Sequence, residues 1–304
     1  MFVPAGLWRV VHTAGYRARR STLVSVFAAH RIPRVLSIAG SDSGAGAGIQ
    51  ADLKAFAACG VHGMTAITAI TAQNTTGVTA VHPVPPDVIL AQVRAVSTDI
   101  GVDAVKIGML GDQPTIEAVA RALYELPEGT PVVLDPVMVA ESGAQLLDPA
   151  ARATLIDRLL ARATVVTPNV PEARSLVAGG AQLDVEDLAR AIHSMGPDAV
   201  VVTGGHRAQI CDVFFDGRRV VELPGSRHPD GAAHGSGCTH SSVLAARLAH
   251  GDEPLEAARA AQAAAGRAVA QGLREIGAGP GPVDILGIAR EADGARRASR
   301  RVLT

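Results

Sequence analysis

The chain has 304 residues, 48% of them hydrophobic and 19% charged, which excludes a disordered chain and leaves room for one large domain or two modest ones. Three scattered cysteines, Cys59, Cys211 and Cys238, form no CxxC pair and exclude a disulfide framework, so a reducing, cytoplasmic setting is expected. The net charge of −1 is a cancellation: residues 1–34 hold six arginines and no acid, residues 290–304 hold five against two acids, and residues 35–289 keep 17 basic against 27 acidic side chains. That body, at −10, is disfavoured as a nucleic-acid binder.

The first 33 residues carry short apolar runs broken by arginine pairs and Pro33. Two readings fit, an upstream start followed by a poorly ordered leader or an Arg-rich transit peptide, and the lack of a cleavage site or a sustained helical face favours the leader. No apolar run approaches the roughly 20 residues of a membrane span, so a soluble protein with no membrane partner is expected. From Arg34 to residue 289 the texture is that of one domain, followed by a disordered Arg-rich tail over 290–304.

Within that body, β-branched runs predict strands at 35–39, 65–72, 104–107, 132–134, 164–166 and 199–202. Amphipathic patterns predict helices at 49–59, 87–96, 114–126, 149–162 and 185–195. Nearly continuous apolar strands alternating with helices imply an α/β fold, a mainly parallel sheet covered on both faces, with ligands at the C-terminal strand edges. Residues 211–215 and 218–223 around Asp216-Gly217 read as a hairpin with a type I′ turn, a small β extension. Helices at 236–249 and 254–273 follow.

Four groups of residues carry chemistry. Gly40 to Gly48, between a strand and a helix, is a glycine-rich turn or a ligand loop; it fits neither GxGxxG nor the GxxxxGK[ST] phosphate loop. Gly235-Ser236-Gly237-Cys238 opens an Ala-rich helix whose consecutive amides would form an anion hole, with Cys238 in the first turn, where the helix dipole lowers a thiol pKa; alternatively Cys238 merely packs the helix start. Asp135 follows a strand as a turn starter or a site carboxylate. Asn169 and Glu172 share a helix face, either as oxygen ligands towards hydrated Mg²⁺ or as an N-cap and its capping-box partner.

These pieces occur in one order. Gly40-Ser41-Asp42 through Gly48-Ile49-Gln50-Ala51-Asp52-Leu53-Lys54 is followed by Ala72-Gln73-Asn74-Thr75, Lys106-Ile107-Gly108-Met109-Leu110 and Leu134-Asp135-Pro136-Val137-Met138. Then come Thr167-Pro168-Asn169-Val170-Pro171-Glu172-Ala173, Gly204-Gly205-His206 and Gly235-Ser236-Gly237-Cys238-Thr239. Together, over about residues 35–286, they closely resemble the hydroxymethylpyrimidine/phosphomethylpyrimidine kinases, a thiamine-biosynthesis branch of the ribokinase-like superfamily.

The resemblance implies a three-layer α/β/α kinase, commonly a homodimer, that uses MgATP to phosphorylate 4-amino-5-hydroxymethyl-2-methylpyrimidine and then the monophosphate. It places Gly40, Asp52, Gln73, Met109 and Val137 at the pyrimidine, Asn169, Thr203, Gly205 and His206 at ATP, and Asp135 and Glu172 at the metal. Cys238 would be the base that accepts or aligns the hydroxyl proton, beside an anion hole from Gly235, Ser236 and Gly237. A carboxyl or carboxamide does complement the alternating acceptor and donor edge of an aminopyrimidine. The sequence departs from the family at Thr203 and Glu141, both often lysine, and at Ala45, more usually glycine. Pyridoxal kinase is the rival reading, disfavoured by the Gln73-Asn74 and 106–110 motifs. A pyrimidine-binding regulator without catalysis, suggested by the lysine missing at Thr203, is disfavoured by the intact 235–238 run.

A chain that begins at Arg34 is expected to keep its activity and melting temperature; a substantial loss of either would show that residues 1–33 do structural work.

Overall fold

Val35, Leu36, Ile38 and Ala39 are apolar on both sides of the chain, and both faces of that strand are buried. Such a strand must be covered twice, and the computed structural model, which describes residues 31–204, 210–229 and 231–289, shows how. The leader and tail expectations lie outside the described residues, apart from 31–33.

The chain runs β1 (Arg34–Asp42), α1 (Gly48–Ala58), β2 (His62–Asn74), β3 (Gly77–Pro83), α2 (Pro86–Asp99), β4 (Ala104–Ile107), α3 (Gln113–Tyr124), β5 (Val132–Leu134) and α4 (Ala151–Leu159). It continues β6 (Val165–Val166), α5 (Val170–Leu176), α6 (Val185–His193), β7 (Ala199–Val202), β8 (Cys211–Phe215), β9 (Val220–Pro224), α7 (Ser236–Ala249) and α8 (Pro254–Ala270). One sheet holds all nine strands in the order β3-β2-β1-β4-β5-β6-β7-β8-β9. The pairings from β2 to β7 are parallel, and β3, β8 and β9 add antiparallel edges.

Strand period sorts the side chains between two cores. On β4, Val105 and Ile107 join Leu36, Ile89, Ile116, Leu155 and Leu188 under α2 to α6. Ala104 faces the opposite way, into the layer that α1, α7 and α8 build from Phe56, Val243, Leu244 and Leu255. The three-layer α/β/α expectation is met. Chain order also makes β1 the switch point, because the chain departs from it to β2 on one side and returns to β4 on the other, which opens a crevice at the strands' C-terminal ends.

Three local expectations change. The 211–223 hairpin has no type I′ turn: Phe215 pairs with Val220, so the loop is four residues, and only Gly217, at φ +80°, is left-handed. A type I′ turn needs positive φ at both central residues, whereas here the Asp216 carboxylate takes the Arg218 and Arg219 amides and widens the loop. Strand β3 gave no apolar signal because it is a largely exposed edge ending in Pro83. The helix expected from Pro149 starts at Ala151, and its last turn, Leu160–Arg162, tightens to a 3₁₀ helix.

The loop after β1 holds Ala45 at φ +59°, the one non-glycine left-handed residue among those described. Ala45→Gly should raise the unfolding free energy by up to about 1 kcal/mol, a left-handed cost of ~1–2 kcal/mol less the ~0.4–1 kcal/mol of entropy that glycine adds to the unfolded chain. Urea denaturation checks this; no gain would mean that the loop carries no strain at Ala45.

Candidate active site

Period 2 that sends Ala104 towards α1 sends Lys106 the same way, and an ammonium on a fully buried strand needs a partner. Asp52 of α1 supplies it, with Lys106 Nζ at 2.9 Å from Oδ1 and 3.1 Å from Oδ2. Ser37 of β1 donates to Oδ2 at 2.6 Å and Ser242 of α7 to Oδ1 at 2.7 Å. Burial pushes the Lys106 ammonium down, but the charges of Asp52, Cys238 and Asp135 outweigh it and hold the group above its ordinary range.

Asp52 therefore does not meet the expectation of a pyrimidine contact: it has no exposed surface and both its oxygens are occupied. It fixes four elements beneath the crevice instead. Lys106, which the site reading omitted, is its counter-ion. The sequence did contain a signal, one of only two lysines lying inside an apolar strand.

Above this pair lie two interlocked glycine clusters. Asp42, at the end of β1, accepts the amides of Gly44 at 2.8 Å, Gly46 at 3.0 Å and Ala47 at 2.8 Å, so one carboxylate shapes the whole loop. Burial would raise its pKa, yet the His234 contact and these amides hold the Asp42 carboxyl below the usual range. Gly235 caps α7 at φ +83°, and a Cβ there would collide with the Gly46 carbonyl, so only glycine fits.

The expectation of consecutive free amides over 235–238 narrows. The Ser236 amide is spent on the Ala233 carbonyl at 2.9 Å, which leaves those of Gly237 and Cys238 as the orphan donors at the start of the helix. Cys238 sits there as expected, but its thiol is not lowered towards thiolate. Burial pushes it up to about 12; the Asp52 and Asp135 charges add to this, and Lys106 and the Gly48 amide oppose it.

Asp135 follows β5 and accepts Ser241 Oγ of α7 at 2.9 Å. Burial raises its pKa, against the Lys106 charge and the Ser241 hydrogen bond. Asn169 and Glu172 form the capping box of α5: the Asn169 side chain takes the Glu172 amide and the Glu172 side chain takes the Asn169 amide, each at 2.9 Å. Burial and then the Asp135 charge push Glu172 up to about 8, against the Asn169 and Met138 amides. Asp135 after β5 and Glu172 in the first turn of α5 are thus two buried carboxyls that repel each other, oxygen donors of the class Mg²⁺ takes.

Thr203 follows β7 and bridges to Asn169, and its amide donates to the Pro168 carbonyl at 2.8 Å. Next to it, Gly204 donates to Asp212 at 2.8 Å. Gly205 and His206 lie outside the described residues.

A cavity of about 290 Å³ lies between Gln73, Asn74, Glu141, Ser142, His234 and Gly279. Of the expected pyrimidine contacts it contains Gln73. Gly40 and Met109 meet close by each other, since a Cβ on Gly40 would lie 3.0 Å from the Met109 sulfur, and Val137, two residues after Asp135, donates its amide to the Asp135 carbonyl. A larger open hollow, about 510 Å³ between α2 and α3, holds none of the expected site residues.

Comparison with known proteins places the chain in a family. A family model described as phosphomethylpyrimidine kinase matches residues 42–284. The hydroxymethylpyrimidine/phosphomethylpyrimidine kinase of Rhizobium meliloti is 50% identical over 254 residues, which cover 82% of this chain and 95% of that one. The pyridoxal kinase of Staphylococcus aureus in complex with AMP-PCP and pyridoxal superposes with a TM-score of 0.75 at 36% identity, covering 84% of this chain and 94% of that chain. The phosphomethylpyrimidine kinase of Clostridium difficile does so with a TM-score of 0.66 at 39% identity, covering 77% and 97%. The matched span begins at the carboxylate that shapes the glycine loop and runs past the helix bearing Cys238, and on that ground the chain belongs to the phosphomethylpyrimidine kinase family.

Proposed function

We infer that the chain is an ATP-dependent kinase that phosphorylates the hydroxymethyl group of 4-amino-5-hydroxymethyl-2-methylpyrimidine and then the resulting monophosphate, in thiamine biosynthesis. The observation that carries this reading is the start of α7, where the Gly237 and Cys238 amides stand open above the buried Lys106 ammonium in a chain of this family. Anions gather at such a place because helix dipole, orphan amides and a fixed cation all favour negative charge.

In the first step the substrate hydroxyl oxygen bonds to the γ-phosphorus, the bond from that phosphorus to the β–γ bridging oxygen breaks, ADP leaves, and the hydroxyl proton passes late to an oxygen of the transferred phosphoryl group and from there to water. The amides hold the transferring group in line while its charge spreads over the equatorial oxygens. A thiol held near 12 is neutral at physiological pH, so Cys238 begins by aligning the hydroxyl and not by taking its proton. Gln73, with Gly40, Met109 and Val137, is proposed to receive the pyrimidine, and Asn169, Thr203, Gly205 and His206 the nucleotide. Asp135 and Glu172 are proposed to hold Mg²⁺, which when bound would neutralise phosphate charge.

We also place the protein in the cytoplasm, consistent with three cysteines that stand as free thiols. A homodimer is proposed from the edge strand β3, which with β2 exposes Ile70 and Val81 on the sheet. Residues 34–289 are proposed as the complete kinase domain. No membrane or nucleic-acid partner is proposed.

The decisive experiment incubates the protein with MgATP and hydroxymethylpyrimidine, its monophosphate or pyridoxal, and follows ADP and products. Both pyrimidine phosphates are expected; no phosphorylated pyrimidine sinks the reading, and pyridoxal phosphate as sole product replaces it with a pyridoxal kinase. Cys238→Ala should lower kcat roughly 10- to 100-fold, short of the 10²–10⁴ of a full acid–base group, with much less effect on KM. Unchanged turnover would leave Cys238 a packing residue. Lys106→Met should cost about 3–5 kcal/mol of stability by stranding Asp52, whereas Lys106→Met with Asp52→Leu should regain most of that stability in thermal denaturation without regaining turnover.

A further inference from the structure

The 290 Å³ cavity beside Gln73 is walled by His234 and by Ala140, Glu141 and Ser142 of a small hairpin over residues 139–145. The hairpin is closed by its own backbone, with Val139 bridging Gln145, Ala140 N–H on the Ala144 carbonyl and Gly143 N–H on the Ala140 carbonyl, both at 2.8 Å. Val139 and residues 141–143 are exposed, so side-chain packing does little to hold the hairpin.

His234 lies between this hairpin and the glycine loop. Its Nε2 is 3.3 Å from Asp42 Oδ2 and its Nδ1 is 3.8 Å from Glu141 Oε2, with Asp42 at 2% exposure, His234 at 11% and Glu141 at 38%. The ring is fixed from behind: the His234 amide donates to Gly281, its carbonyl accepts from Val283, and its edge fills the space a Cβ on Gly46 would take.

We propose that His234 is a positioning residue that latches the 139–145 hairpin to the glycine loop, so that Asp42, through His234, holds Glu141 and the hairpin against the pyrimidine cavity. This rests on the reading of that cavity as the pyrimidine site. A ring with a carboxylate beside each nitrogen is best matched as the imidazolium, which donates to Asp42 and pairs by charge with Glu141; a neutral ring would lose the second attraction. Asp42 first, then Glu141, push His234 up to about 9, against burial. The other elements packed on it bring no competing charge: the glycine loop offers backbone with Lys54 tied to the Ala45 carbonyl at 2.7 Å, and the 281–283 segment offers only backbone contacts.

Because the folded value lies above the ordinary 6.5, the latch is fully present below about 6.5 and is lost as pH rises through about 9. Since Glu141 is partly exposed, the effect is modest, and Glu141→Gln and Glu141→Lys leave the fold unthreatened. Calorimetric titration with hydroxymethylpyrimidine should show Kd raised roughly two- to fivefold in Glu141→Gln and more in Glu141→Lys, with KM following and kcat nearly unchanged. Amide exchange at residues 140 and 143 should quicken, Glu141→Asp should restore part of the affinity, and the rise of Kd through pH 9 should flatten in Glu141→Gln. Wild-type Kd, KM and exchange in Glu141→Lys would overturn the latch. Faster exchange in a protein that binds no pyrimidine would instead strike the functional reading and leave the loop contact standing.

Discussion

A buried ammonium is the constraint on which the rest of the site depends. Lys106 without Asp52 would leave an uncompensated charge in the core, and Asp52 without Lys106, Ser37 and Ser242 would do the same. The four residues come from β4, α1, β1 and α7, so the pair is satisfied only when the layer over that face of the sheet is in register. A buried pair of this kind is weak evidence for stability, because apolar residues could fill the space as well. Its use is electrical: it puts a fixed positive charge under Cys238 and close to Asp135.

That placement resolves an apparent conflict with overall charge. The body between the arginine-rich ends carries a net −10, poor bulk electrostatics for a polyphosphate ligand. Field at a site is set by the nearest groups in low dielectric; there Asp52 offsets the Lys106 ammonium, and the groups that favour an anion are two open amides and a helix start. The two glycine clusters, far apart in sequence, act as one device. Asp42 gathers the first loop, and the Gly46 carbonyl of that loop packs so closely on Gly235 that neither cluster can shift without the other.

The strands and helices of the body were legible because parallel strands buried on both faces read as unbroken apolar runs, and the 236–249 helix has the limits expected. β3 was illegible for the converse reason, since an exposed edge has no face to bury. In the site, the capping box of Asn169 and Glu172 could be read from spacing alone, whereas Asp52 could not, because a first-turn acid looks the same whether it points to a ligand or to a lysine 54 residues away. Only period 2 along β4, combined with the sheet order, sends Lys106 towards α1. His234 went unread because its partners, Asp42 and Glu141, are brought to it by tertiary contacts across three segments.

Cys238 shows why magnitudes must decide between competing local rules. A helix start favours the thiolate by ~0.3–1 kcal/mol, less than one pKa unit. Burial beside two carboxylates moves the thiol from 9.0 to about 12, and even the Lys106 charge does not reverse it. The dipole argument had the right sign and too little size. A kinase can tolerate this because the transition state for phosphoryl transfer is loose, little negative charge is needed on the attacking oxygen, and the hydroxyl proton can leave late. What the site must supply is alignment and charge at the equatorial oxygens, and on the proposed reading a neutral thiol beside two open amides would supply both without an ionised nucleophile or base.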